Sequence, residues 1–193
     1  MITNTLMAPV NRLDGIRESR GGIHPGAAVK VKPHMEPVIQ GFIQRAPFVV
    51  MASANADGDC DASPKGGNPG FVKILDEHTL LIPDVGGNYL LQGYENFATN
   101  AKVGLVFMIP GMDTTARVNG RVRVLEAEEV QSLGVQAPEV SNPDKNAVLI
   151  QGILVDVDEA YLHCPRAFRF SKLWNPATIE ENAVLSVKSF GSS

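Results

Sequence analysis

Only two cysteines, one tryptophan and three tyrosines occur among the 193 residues of this chain. Cys60 and Cys164 make no CxxC pair and no zinc-ligand spacing, so neither a disulfide framework nor a cysteine metal centre is indicated, and a reduced pair is expected. His34, His78 and His163 also lack metal-ligand spacing, and no metal is expected. Positive charge is short as well: 17 Lys and Arg face 21 Asp and Glu, a net charge of −4. A nucleic-acid-binding surface normally shows a basic excess, so that partner class is not expected. No run approaches the roughly 20 apolar residues that a bilayer crossing needs, which removes a membrane-spanning helix. The opening MITNTLMAPVNRLDG has neither the basic start nor the apolar core of a secretory signal, and a cytoplasmic protein is expected. No GxGxxG follows a strand-like run and no GxxxxGK[ST] occurs, which excludes the usual dinucleotide and nucleotide-hydrolase motifs.

What is present is an ordinary globular composition, 44% hydrophobic and 20% charged. A chain of this length buries about 70% of its unfolded surface and needs no disulfide or metal to hold it. Residues 1–34, rich in Gly, Pro, Arg and His, show no clear period and read as an arm or loop; residues 35–193 read as one domain. Pro37 opens a short helix whose face takes Val38, Phe42, Ile39 and Ile43. The runs 48–54, 71–84, 103–111, 114–126 and 147–164 have the alternation or continuous apolarity of strands. Asp57-Gly58 and residues 76–78 mark hairpin turns, and Asn119-Gly120 a bulge or bend within one strand. Between them, Leu91, Tyr94, Phe97 and Ala98 share one helical face, with Asn88 as its N-cap. Residues 126–134 and 165–174 read as short helices or turns. Hairpin-joined strands with a few outlying helices, and no βαβ rhythm, predict a mainly β protein built on an antiparallel barrel.

One stretch stands apart from this pattern: DCDASPKGGNPGF, residues 59–71. Its glycines admit a bound group close to the backbone, and its prolines leave neighbouring N–H groups out of a sheet ladder. Ser63, Lys65 and Asn68 add a hydroxyl, a cation and an amide. Such a segment suits a flat polar ligand. The glycines at 86–87 ahead of a helix start form a second candidate, since free N–H groups there attract anions. His163 and Cys164 are adjacent on a strand and point to opposite faces, so they make a poor catalytic pair, and Cys164 is expected to be buried packing. No catalytic residue is identified.

In order along the chain, ASPKGGNPGFV, LLIPDVGGN, FATNAKVGLVFMIPG, ARVNGRV and HCPRAFRFSKLW resemble the pyridoxamine 5′-phosphate oxidase-like family of FMN-binding split barrels. The match is nearer to a subgroup with SPKGG and HCP…LW signatures, and spans about residues 35–176. The resemblance implies a six-stranded, Greek-key antiparallel split barrel and a homodimer with FMN in clefts between subunits. It places Ser63, Pro64, Lys65 and Gly66 along the isoalloxazine edge. Pro83, Asp84, Gly87 and Asn88 fall near the ribityl phosphate, Arg117 at a basic strand position near the cofactor. Arg169 and Trp174 would come from the partner subunit or close the cleft.

Three departures bear on function. Where nearer relatives of the oxidase carry an arginine this chain has Cys60, and Asn88-Tyr89 stand in place of a basic pair. The C-terminal motif that grips pyridoxamine phosphate has no match. The expectation is therefore an FMN-dependent oxidoreductase acting on a small planar or conjugated molecule, and not pyridoxamine 5′-phosphate oxidase itself. A flavin carrier or sensor without turnover, or a haem- or deazaflavin-binding barrel, are the alternatives.

Overall fold

The computed structural model describes residues 15, 19, 21–22, 24–87, 90–138 and 140–190. The chain divides into two units, Met1–Val31 and Lys32–Ser193. In the first, Pro25–Ala28 forms the one-turn helix α1, whose Gly26 N–H donates to His24 Nδ1 at 3.1 Å.

The second unit begins with α2 (Pro37–Arg45), started by a proline whose fixed φ suits the first helical position. Its inward face is Ile39, Phe42 and Ile43. Val38, expected on that face, points outward and is 57% exposed. Pairs at i, i+4 exist for both Val38/Phe42 and Ile39/Ile43, and packing against the sheet selects the second phase.

Seven strands follow: β1 (Phe48–Ala54), β2 (Cys60–Gly66), β3 (Lys73–Asp76), β4 (Thr79–Val85), β5 (Lys102–Met108), β6 (Thr115–Glu126) and β7 (Leu149–His163). They form one sheet in the order β2-β1-β5-β6-β7-β4-β3, with every neighbouring pair antiparallel. The expected barrel has six strands; among the described residues there are seven and the sheet does not close. Two long strands, β6 of 12 residues and β7 of 15, span the sheet's centre, and β3 adds a four-residue edge.

Alternation sets which side chains enter the core. In β1, Val49 and Met51 face inward, and across the sheet they meet Leu80 and Ile82 of β4, Leu105 and Phe107 of β5, Val118 of β6 and Ile153 and Val155 of β7. Each fully buried side chain of this kind contributes about 1.5–3 kcal/mol. α2 and Phe97 of α3 (Gln92–Thr99) cover this cluster. Behind β4 a second cluster, Leu81, Leu125, Val130, Val135 and Leu154, packs under α4 (Ala127–Ser132). That helix starts with a capping box in which the Glu126 N–H donates to Glu129 Oε2 at 2.8 Å.

The bend expected at Asn119-Gly120 is a register shift: Asn119 pairs with Glu159 and Gly120 with Val157, leaving Asp158 as the extra residue. Gly120 is obligatory there, since a Cβ would lie 2.3 Å from the Asp156 carbonyl oxygen. After β7 come α5 (Arg166–Ser171) and α6 (Pro176–Asn182), and no residue of either helix is buried. Cys60 and Cys164 are both free and exposed, so Cys164 is not the buried packing residue expected. Among the described residues no helix is long and apolar enough to cross a membrane, and no group of three metal-ligating side chains occurs.

Candidate functional site

The turn after β1 is fixed by Asn55, whose Oδ1 accepts from the N–H groups of Asp57 and Asp59 at 3.0 and 2.9 Å, with Gly58 at φ 91°. It returns the chain as β2 along the edge of the sheet. Register with β1 pairs Asp61, Ser63 and Lys65 with Ser53, Met51 and Val49, whose side chains are buried. The three β2 residues therefore point toward the inner face, while Ala62 and Pro64 face away.

On the other side, β4 runs through five consecutive buried positions, Leu80 to Asp84, because clusters cover both of its faces. At its end the register shifts, with Asp84 opposite Gln151 and Val85 opposite Leu149, so Ile150 is looped out. Alternation along the strand puts Asp84 at the end of the inner face occupied by Leu80 and Ile82. The first residue of α3 is Gln92, preceded by Leu91 in a left-handed conformation (φ 56°). Asn88, expected as the N-cap, lies outside the described residues.

These three pieces enclose a cleft of about 740 Å³. Its apolar walls include Met51, Phe71, Leu90, Leu91, Pro138 and Ile150, and its polar groups are few: Asp61, Ser63, Lys65, Asp84, Gln92, Tyr94 and Gln151. A ligand pocket of roughly 300–1,000 Å³ with apolar walls and a few convergent polar groups is the usual form of a small-molecule site.

At the centre of the polar group lies one connected contact. Lys65 Nζ donates to both carboxylate oxygens of Asp84, at 2.8 and 2.7 Å, and Tyr94 Oη donates to Asp84 Oδ2 at 2.6 Å. Only 19% and 11% of the Lys65 and Asp84 side chains are exposed, so water screens this pair weakly. Burial, and the hydrogen bond to the Asp84 carboxylate, push the Tyr94 phenol well above its ordinary value of 10.0. The phenol therefore stays protonated and donates at any physiological pH. The contact also ties β2, at one edge of the sheet, to β4, next to the other edge. The sheet thus curls far enough for its two ends to share a site, without a hydrogen-bonded ladder between them.

Of the residues singled out in the sequence, Ser63, Pro64, Lys65, Gly66, Pro83, Asp84 and Gly87 line this cleft together. Arg117, Arg169 and Trp174 do not. Arg117 sits on β6 opposite Val106 and Tyr161; its guanidinium lies 5.6 Å from the centre of the Tyr161 ring, and its buried Nε has no partner among the described residues. Arg169 pairs with Asp113 at 3.0 Å, and Trp174 Nε1 donates to the Met112 carbonyl at 3.0 Å while its ring stacks on Phe168. Both anchor α5 to the loop between β5 and β6.

Sequence reasoning missed Tyr94, Asp61 and Gln151 as site residues. Tyr94 reads simply as one member of an apolar helical face. Gln151 gave a usable signal, being an amide inside the otherwise apolar run 148–155.

A second, more open depression of about 610 Å³ lies over Ala52, Gly104 and Asn119, rimmed by Lys102, Asp158 and Glu159. Lys102 Nζ donates to Asp158 at 3.0 Å, and that hydrogen bond, aided by Arg121, holds the Asp158 carboxyl below its ordinary value. None of the site residues expected from the sequence lines it, and it is the poorer candidate.

The family model for pyridoxamine 5′-phosphate oxidase matches residues 35–164. No curated protein sequence matches the chain. Among solved structures, a Lactobacillus delbrueckii protein assigned to pyridoxamine 5′-phosphate oxidase is 19% identical, with 67% of this chain and 95% of that chain covered and a TM-score of 0.50. HupZ of Group A Streptococcus is 13% identical over 65% of this chain and 90% of its own, with a TM-score of 0.46. An FMN-binding protein from Syntrophomonas wolfei is 11% identical over 79% of this chain and 97% of its own, with a TM-score of 0.45.

Proposed function

The chain belongs to the pyridoxamine 5′-phosphate oxidase family, and from that membership we propose that the cleft around Lys65 binds FMN and that the protein is an FMN-dependent oxidoreductase. The observation that carries the reading is the convergence of residues 61–66, 83–87 and the start of α3 on one apolar-walled cleft. The donor set suits a flavin. Met51, Phe71 and the two leucines offer apolar walls to a flat ring, while Ser63 and Lys65 offer donors along one edge. The uncapped start of α3, with its positive dipole end, is the natural place for a phosphate.

When bound, FMN supplies the electron-transfer chemistry, and the protein supplies position and electrostatics. Lys65 and the backbone of residues 63–66 orient the ring's polar edge. Tyr94 holds the Asp84 carboxylate in place, and the apolar walls exclude water. The substrate class is a small planar or conjugated molecule that stacks against the ring. The lack of a match to the pyridoxamine-phosphate-gripping motif argues against that substrate.

A homodimer accompanies this reading. Arg117, Arg169 and Trp174 lie away from the cleft of their own chain, so any contact with a flavin is made to the cleft of a second copy.

The test is the chromophore of the purified protein. A flavin absorbance spectrum, released as FMN on denaturation, is expected, and a Soret band in its place refutes the assignment. Anaerobic mixing with NADH, NADPH or reduced deazaflavin should bleach the flavin; bleaching by none of them makes the protein a carrier. Lys65→Ala is expected to lower FMN occupancy at least severalfold, and unchanged occupancy removes Lys65 from the site.

A further inference from the structure

Lys65 is the only cation lining the cleft among the described residues, and it is not an open charge. Both oxygens of Asp84 lie within 2.8 Å of its ammonium. Tyr94 also donates to Oδ2 of that carboxylate at 2.6 Å, so Asp84 cannot swing away without breaking a second hydrogen bond. A further carboxylate, Asp61, lines the same cleft. The described lining thus holds two carboxylates and one ammonium.

A paired ammonium acts on a ligand as a dipole, whose field falls off faster than that of a single charge. It still has a proton to donate, since an ammonium offers three. Such a group orients a neutral ring edge well and attracts a distant phosphate poorly.

We propose that Asp84 is a specificity-determining residue of the cleft: by holding Lys65 it converts the one cation of the described lining into a charge-neutral donor, so that Lys65 serves the ring edge and adds little to the attraction of a phosphate. This rests on the flavin reading above and concerns the charge of the ligand that the cleft selects. Tyr94 is a positioning residue in the same device, acting through Asp84.

FMN and riboflavin differ only by the phosphate, and their dissociation constants for the apoprotein, followed by quenching of flavin fluorescence, read the proposal directly. For the wild type the two constants set the reference ratio. Asp84→Asn keeps the shape and removes the charge. Coulomb's law over roughly 8–10 Å, at an effective dielectric constant of about 20–40, then gives about tenfold tighter FMN binding, with riboflavin moved less than about threefold. That gain should weaken with salt and vanish when Lys65→Met is added.

An unchanged FMN-to-riboflavin ratio in Asp84→Asn, or equal tightening of both ligands, overturns the proposal. So does a gain in FMN affinity that persists when Lys65→Met is added. A folded wild type that binds neither flavin removes the flavin reading itself, and the proposal with it.

Discussion

β2 and β4 each supply one half of the Lys65–Asp84 contact, yet they are held in the sheet by different means. β4 is paired on both sides, to β3 and β7, and is buried at five consecutive positions. β2 is paired on one side only, to β1, and none of its residues is buried. Asp84 therefore has its position dictated by the core, whereas Lys65 rides on an edge whose loss would leave most of the core intact. The cleft has one fixed wall and one whose packing constrains it weakly.

Truncating one residue in each strand should expose the difference most clearly. Ile82→Ala in β4 removes a fully buried side chain and should cost about 2–5 kcal/mol in urea unfolding, whereas Pro64→Ala in β2 should cost under about 1 kcal/mol. Equal losses would show that β2 is as firmly fixed as β4. A smaller effect concerns the bond that keeps Asp84 facing the cleft. Tyr94→Phe removes a buried donor to a carboxylate and should cost about 1–3 kcal/mol at neutral pH. Because the folded chain holds the phenolic proton more tightly than the unfolded one, Tyr94's share of the stability is present below pH 10 and is lost as the pH rises above it. The gap between wild type and Tyr94→Phe should thus narrow in alkaline urea titrations; a constant gap would mean that the phenol is not held by Asp84. The smallest effect is expected outside the cleft. Asp158→Asn on the exposed Lys102–Arg121 cluster should shift stability by under about 1 kcal/mol, the baseline against which the sheltered Lys65–Asp84 pair is judged.

The sheet was readable in the sequence where its faces differ in polarity. Apolarity in 48–54 and alternation in 114–126 gave β1 and β6, and the Asn-Gly pair gave the bulge, because such signals are local. Helix phase was less readable: Val38 and Ile39 are equally apolar, and the sheet that chooses between them lies elsewhere in the chain. Seven cleft residues could be named from their motifs. Their connection could not, because Lys65 and Asp84 are 19 positions apart and meet through the curl of the whole sheet. The same holds for Tyr94, whose hydroxyl acquires meaning only from the carboxylate above it. Arg169 and Trp174 were legible as notable residues, but their actual partners, Asp113 and Met112, belong to a loop with no signal of its own.

Pro64 has one more consequence. An outermost strand normally offers its unpaired main-chain groups to any passing extended segment, and this is how sheets grow into fibres. The prolyl nitrogen has no hydrogen to give, and the acidic and basic side chains on either side of it, at 61 and 65, make that border still less welcoming. Copies of this chain that meet should accordingly stack broadside rather than lengthen one another's sheets.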